Sequence, residues 1–129
     1  DIDEQALERA KAGIYNYKSV EKLPNDMLRK YFEKKGDLYH IKEEVKRCVR
    51  FYKHDLLTDR YPGDFDLIVC RNVLIYFTEE AKNMIYTKFS NSLKNGGILF
   101  VGSTEQIIMA SKYNFNSLRT FFYVKGNVD

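Results

Sequence analysis

The residues best placed for chemistry stand in one run, Phe65-Asp66-Leu67-Ile68-Val69-Cys70-Arg71-Asn72-Val73-Leu74-Ile75-Tyr76-Phe77. Residues 67–70 are apolar without a break, as in a buried strand. Arg71 and Asn72 follow at its carboxyl end, where α/β sheets keep their ligands. A second apolar run, residues 73–77, comes next. If it coils into a helical turn, Asn72 and Tyr76 stand four apart on one face, and an amide and a phenol point into one crevice. Both groups can donate hydrogen bonds to a polar ligand without adding charge. Arg71 beside Cys70 would lower a thiol pKa, although a thiol buried at a strand end is usually inert.

Other chemistries lack their residues. His40 and His54 are isolated and have no paired spacing of metal ligands, so no metal is expected. No Ser-His-Asp or Cys-His arrangement stands in a recognisable turn, and there is no Gly-x-x-x-x-Gly-Lys loop.

Asp3 can cap a first helix whose apolar stripe is Ala6, Leu7, Ala10 and Ile14 and which Gly13 closes. Residues 15–22 are polar and turn-like. Pro24 then opens a short helix to about residue 31. Residues 31–35 and 38–42 flank Gly36-Asp37, whose leading glycine suits a type II′ hairpin turn. Residues 43–48 fit either a helical turn or a third strand. Residues 49–54, with Val49 and Phe51 alternating against Arg50 and Tyr52, are expected as a strand that delivers Asp55 and Leu56 at its end.

Tyr61-Pro62-Gly63-Asp64 forms a turn, and Thr78-Glu79-Glu80 starts a helix with a hydroxyl cap and two acids in its first turn. Its stripe is Ala81, Met84, Ile85, Phe89 and Leu93, and Asn95-Gly96-Gly97 stops it. Residues 98–101 are the next buried strand, with Gly102-Ser103-Thr104-Glu105 at its end and Glu105 as a helix-start acid. Residues 113–115 and 120–124, joined by residues 116–119, close as an antiparallel hairpin. Parallel strands near residues 50, 66 and 98 make the fold class α/β.

The length of 129 residues suits one domain with a real core, and 44% hydrophobic residues, ten Tyr and nine Phe argue against disorder. A net charge of +3 with interspersed signs gives no nucleic-acid footprint. Two cysteines, Cys48 and Cys70, suit a reduced compartment, and no apolar run approaches the ~20 residues of a membrane span.

The run 65–77 resembles, nearly residue for residue, the signature of the CheR-type chemotaxis receptor methyltransferases, and the resemblance extends over essentially the whole chain. It implies a Rossmann-like class I methyltransferase sheet lacking its N-terminal strands, with a small antiparallel β-subdomain inserted at about residues 31–48. The implied reaction moves a methyl group from S-adenosylmethionine to glutamate side chains of chemotaxis receptors. Glutamate methyl esters and S-adenosylhomocysteine are the products.

Asp1 matches the acid that accepts from the cofactor ribose. Asp55 and Leu56 stand where the family carries an Asn-Leu pair against the adenine; a carboxylate there can accept from the adenine amino group but cannot donate to a ring nitrogen. Cys70 and Arg71 would touch the cofactor, Asn72 would brace the loop or line the acceptor pocket, and Tyr76 would be catalytic, donating to the glutamate carboxylate. The family often has Gly-His-Ser-Glu where this chain has Gly102-Ser103-Thr104-Glu105, so no histidine acts there.

The hairpin connection, residues 33–37, is shorter than in members that add a receptor tail as an extra strand. The hairpin is therefore expected as a lysine-decorated, protected edge. The implied partner is the cytoplasmic domain of a methyl-accepting receptor, and the implied location is the cytoplasm. Because the chain starts at Asp1 without Met and lacks the family's first strand, Gly-rich loop and helical N-terminal domain, it is expected to be cut from a longer enzyme and to bind cofactor weakly alone. The alternatives are a non-enzymatic binding module that docks through the hairpin and a class I methyltransferase acting on a small molecule.

Overall fold

The computed structural model describes residues 1–126 and divides the chain into two compact units, residues 1–55 and a second that begins at Leu56. In the first unit, helix α1 (Glu4–Ala12) starts where the Asp3 carboxylate accepts from the Gln5 N–H. It ends at Gly13, φ +65°, whose N–H donates to the Arg9 carbonyl. Ile14 does not extend the helical stripe. It opens β1 (Ile14–Asn16), and α2 (Tyr17–Val20) follows, capped by Asn16. A three-residue strand is too short to show alternation, so this stretch reads as polar turn in the sequence.

Helix α3 (Asn25–Tyr31) has Pro24 at its cap rather than at its first helical position. Strands β2 (Phe32–Lys35) and β3 (Leu38–Ile41) form the expected hairpin, with Gly36 at φ +61°, and β1 completes a three-stranded antiparallel sheet in the order β1-β3-β2. Residues 43–48 resolve as the helical turn α4 (Glu43–Lys46).

The strand expected at residues 49–54 does not form. The Val49 N–H donates to the Lys46 carbonyl in a turn, the Asp1 nitrogen donates to the Tyr52 carbonyl, and the His54 N–H donates to the Asp1 carbonyl. A turn and two bonds to one residue make no ladder.

The second unit is a four-stranded sheet in the order β4-β5-β7-β6. Strands β4 (Phe65–Cys70) and β5 (Leu93–Val101) run parallel, joined through helix α5 (Glu79–Ser92); β7 (Phe122–Lys125) is antiparallel to both β5 and β6 (Phe115–Arg119). Thr78 caps α5 by accepting from the Ala81 N–H, as its sequence indicates. The core gathers Leu74, Ile85, Tyr86, Phe89, Leu99, Val101 and Phe115. Met84 points outward and Tyr86 takes the inward place.

Asn95-Gly96-Gly97 does not stop the helix. Strand β5 begins at Leu93 directly after α5, and Gly96 at φ +83° lies where the pairing jumps from Phe65↔Leu93 to Leu67↔Ile98. The closing hairpin is shifted as well. Residues 116–119 belong to β6, and the turn falls at Thr120-Phe121, with Phe121 at φ +70° and Phe122 stacked on Phe100 at 4.2 Å between centroids.

The central strand is not buried on both faces. Within this sheet β4 is an edge strand, and Leu67 and Val69 are 54% and 58% exposed, while Cys70 is buried. An unbroken apolar run does not reveal that one face lacks a covering layer among the described residues. None of the helices among the described residues is long and apolar enough to cross a membrane.

This asymmetry is testable by denaturant unfolding. Leu99→Ala, at a fully buried position, is expected to cost about 2–5 kcal/mol. Val69→Ala is expected to change stability by about 0.5 kcal/mol or less, and a comparable cost at both positions would contradict the bare face.

Candidate functional site

Parallel pairing brings the carboxyl ends of β4 and β5 side by side, with Cys70 opposite Val101. Two loops leave from there. Arg71 turns back on the sheet: its Nε donates to the Val101 carbonyl at 3.0 Å, and its guanidinium lies 4.3 Å from the Phe100 ring centroid. The charge is thus used on the neighbouring strand.

Asn72 adopts φ +61°, a left-handed conformation that Asn tolerates better than most residues. It therefore precedes the helical turn rather than joining it; the turn is a single 3₁₀ turn, Leu74–Tyr76. The shared face expected for Asn72 and Tyr76 required an α-helical turn through both, and that turn is absent. Leu74 is fully buried and pins the loop, whereas Tyr76 is 86% exposed and its phenol has no hydrogen bond within the described residues.

The second loop supplies Glu105, an acid whose place in the sequence suggests a helix start. No helix begins at Glu105; its N–H donates to the Gly102 carbonyl in a turn, and its side chain is buried. One carboxylate oxygen accepts from the Asn72 N–H, and the other accepts from the Leu74 N–H at 2.8 Å. Two donated N–H bonds offset the cost of taking a carboxylate out of water. Gly102 makes the approach possible: a Cβ there would lie 2.9 Å from the Asn72 nitrogen and would also strike the Glu105 carboxylate. The signal in the sequence is an acid four residues past a buried strand and bracketed by Gly102 and Ile107, but nothing in it says which loop the acid faces.

Burial, and secondarily the Glu105 charge, pushes the Cys70 thiol up to about 11. The same two causes in the same order push Tyr86 up to about 12. The lowered thiol pKa that Arg71 suggested is thereby corrected, because the cation is turned away and the nearby charge is an anion.

Asp1 is exposed in the first unit, and its carboxylate accepts from the Asp3 N–H at 2.9 Å. With Ala6, Leu7, Ala10, Phe51, Tyr52 and His54 it lines a cleft of about 390 Å³. Asp55 is half-buried at the end of that unit. Leu56 is half-buried in the second unit and packs against its core. The described residues contain no group of three His, Cys, Asp or Glu able to hold a metal.

The family model described as the CheR methyltransferase SAM-binding domain matches residues 1–123. This chain belongs to the CheR methyltransferase family. It is 48% identical over 125 residues to a chemotaxis protein methyltransferase of Listeria innocua, covering 97% of this chain and 48% of that protein. It is 35% identical over 132 residues to the Escherichia coli K12 protein of the same name, covering 98% and 43%. The Borreliella burgdorferi chemotaxis protein methyltransferase is 37% identical over 110 residues, covering 83% and 39%. The chain thus spans slightly under half the length of these relatives.

S-adenosylmethionine is the cofactor of the CheR domain. The chemistry of the first-unit cleft fits it: Asp1 offers an oxygen acceptor suited to a ribose diol, beside the aromatic surfaces of Phe51 and Tyr52. In the second unit the Arg71 Nε is bonded to the Val101 carbonyl and its guanidinium lies over Phe100, while the residue remains exposed.

Thiol labelling tests these electrostatics. Exposed Cys48 is expected to react with an alkylating reagent at pH 8, and buried Cys70 only on unfolding. A folded-state pKa raised above its unfolded value gives stability that is complete below the unfolded value and lost as pH rises through the folded one. Between about pH 9 and 11 wild type should therefore lose more thermal stability than Cys70→Ala. Equal losses, or rapid labelling of native Cys70, would refute the assignment.

Proposed function

We propose that this chain is the C-terminal part of the catalytic domain of a cytoplasmic protein-glutamate O-methyltransferase. Its parent moves the methyl group of S-adenosylmethionine to glutamate carboxylates on the cytoplasmic domain of chemotaxis receptors. The observation that carries this reading is the loop from Arg71 to Tyr76. It stands at the carboxyl ends of a parallel strand pair, is held by a buried carboxylate, and presents an exposed phenol, in a chain of the CheR family.

In this reading the sheet is the Rossmann-like core of a class I methyltransferase, the antiparallel sheet β1-β3-β2 is a β-subdomain inserted in it, and further strands of the parent pair with the open edge of β4. Asp1 accepts from the ribose hydroxyls, Asp55 and Leu56 meet the adenine, and Cys70 and Arg71 border the cofactor. Asn72 shapes the acceptor pocket and Tyr76 holds the acceptor. The cofactor supplies an electrophilic methyl group on a sulfonium.

The acceptor needs little activation. A glutamate with a pKa of about 4.3 is ionised at neutral pH, so no general base is required. What remains is to align one carboxylate oxygen with the methyl carbon and to keep water out. The new bond joins carboxylate oxygen to methyl carbon as the carbon–sulfur bond breaks, and the electron pair of that bond stays on sulfur. Anion and sulfonium neutralise each other in this step, and a dry site favours such a loss of charge. The Tyr76 hydroxyl donates to the other carboxylate oxygen and orients it without a competing charge. Esterification then removes one negative charge from the receptor, which relieves like-charge repulsion along a helix and biases a signalling equilibrium.

The test is transfer of labelled methyl from S-adenosylmethionine to a receptor cytoplasmic fragment by the full-length protein. Tyr76→Phe is expected to lower kcat about 10²-fold, as loss of one positioned donor does, while S-adenosylhomocysteine affinity stays within about twofold. An unchanged rate in Tyr76→Phe removes the phenol from the reaction, and label on residues other than glutamate removes the proposed substrate.

A further inference from the structure

The loop that carries Tyr76 has no regular structure to hold it. Asn72 is in a left-handed conformation, a single 3₁₀ turn follows, and the only fully buried side chain of residues 71–76 is Leu74. The buried Leu74 amide needs a partner, and the Asn72 amide finds the same one. The carboxylate of Glu105 bridges the two and skips the residue between them, which fixes the direction in which the chain enters the 3₁₀ turn.

Glu105 is itself held. Its N–H is bonded to the Gly102 carbonyl, the Ile107 N–H donates to the Tyr123 hydroxyl at 2.9 Å, and Gly102 leaves no room for a Cβ between the loops. Across the same junction Arg71 is tied to Val101, and the Val101 N–H donates to the Phe121 carbonyl. The loop at the end of β4 therefore takes its shape from the loop at the end of β5.

We infer that Glu105 is a positioning residue for methyl transfer: by spanning the Asn72 and Leu74 amides it sets the turn that aims the Tyr76 phenol at the acceptor. This rests on the proposed role of Tyr76. Glu105 touches neither cofactor nor acceptor and acts through the loop alone. On this geometry a glutamine is expected to substitute poorly. An amide side chain offers one oxygen to two N–H donors and turns its own NH₂ toward the second. Aspartate keeps both oxygens but is shorter by one methylene.

The experiment is a double-substitution cycle in the full-length protein, read as kcat and KM separately, with amide exchange at Asn72 and Leu74 alongside. Glu105→Gln is expected to lower kcat about 10²-fold, the scale of a misplaced catalytic group, with KM for S-adenosylmethionine within about threefold of wild type. In a Tyr76→Phe background the same substitution is expected to lower kcat by less than about threefold, because the group it positions is already gone. A full further 10²-fold loss in that background would show that Glu105 acts otherwise than through Tyr76. So would a rise in KM that accounts for the whole effect.

Exchange keeps the inference open to refutation where Glu105→Gln does not fold. In wild type the Asn72 and Leu74 amides are expected to be protected together, and Glu105→Asp to lower both protections. Fast exchange of both in wild type refutes the clamp. If the clamp is seen and wild type does not methylate receptor glutamates, the proposed reaction fails while the geometry stands.

Discussion

A carboxylate buried at the end of one parallel strand, accepting two amides from the loop at the end of its neighbour, is the constraint on which the second unit's functional end depends. It is a demanding arrangement. A buried carboxylate without donors, or the buried Leu74 amide without an acceptor, would each cost about 1–3 kcal/mol or more, so each loop favours the observed arrangement of the other. Gly102 is required because any side chain would separate them, and Asn72 tolerates the left-handed turn that their meeting imposes. Burial, and secondarily this charge, keeps the Cys70 thiol and the Tyr86 phenol neutral.

A site built this way suits chemistry that asks for alignment more than for acid or base strength. An ionised carboxylate attacking a sulfonium methyl group needs no proton removed. In the proposed reaction a single donor in a fixed direction is then the useful contribution, and Tyr76 stands on the segment whose Asn72 and Leu74 amides Glu105 holds. The cost of this design is a segment with little packing of its own. Leu74 alone anchors it in the core, and the adjoining β4 face, Leu67 and Val69, lies bare.

Local patterns carried much of this fold. Asp3 and Thr78 cap helices because short oxygen side chains reach free amides, and the hairpin at Gly36 follows from one residue with positive φ. The thirteen residues ending at Phe77 carried the family, which the match over residues 1–123 bears out. What stayed hidden depends on neighbours. Residues 49–54 alternate as a strand does but find no ladder, and β1 is too short to display a period. The run at residues 67–70 is apolar whether its outer face is covered or not. In the site, Cys70, Arg71 and Asn72 were legible as a strand end, whereas the turning of Arg71 onto Phe100 and the bridging by Glu105 are long-range contacts, across about thirty residues of sequence, that no local signal encodes.

The most direct measurement is a crystal structure of the full-length protein with S-adenosylhomocysteine and a glutamate-containing receptor peptide. The expected result places the Tyr76 hydroxyl within about 2.5–3.0 Å of the acceptor carboxylate, with the Glu105 clamp intact behind it. A structure in which Tyr76 faces solvent and another residue holds that carboxylate would contradict the account.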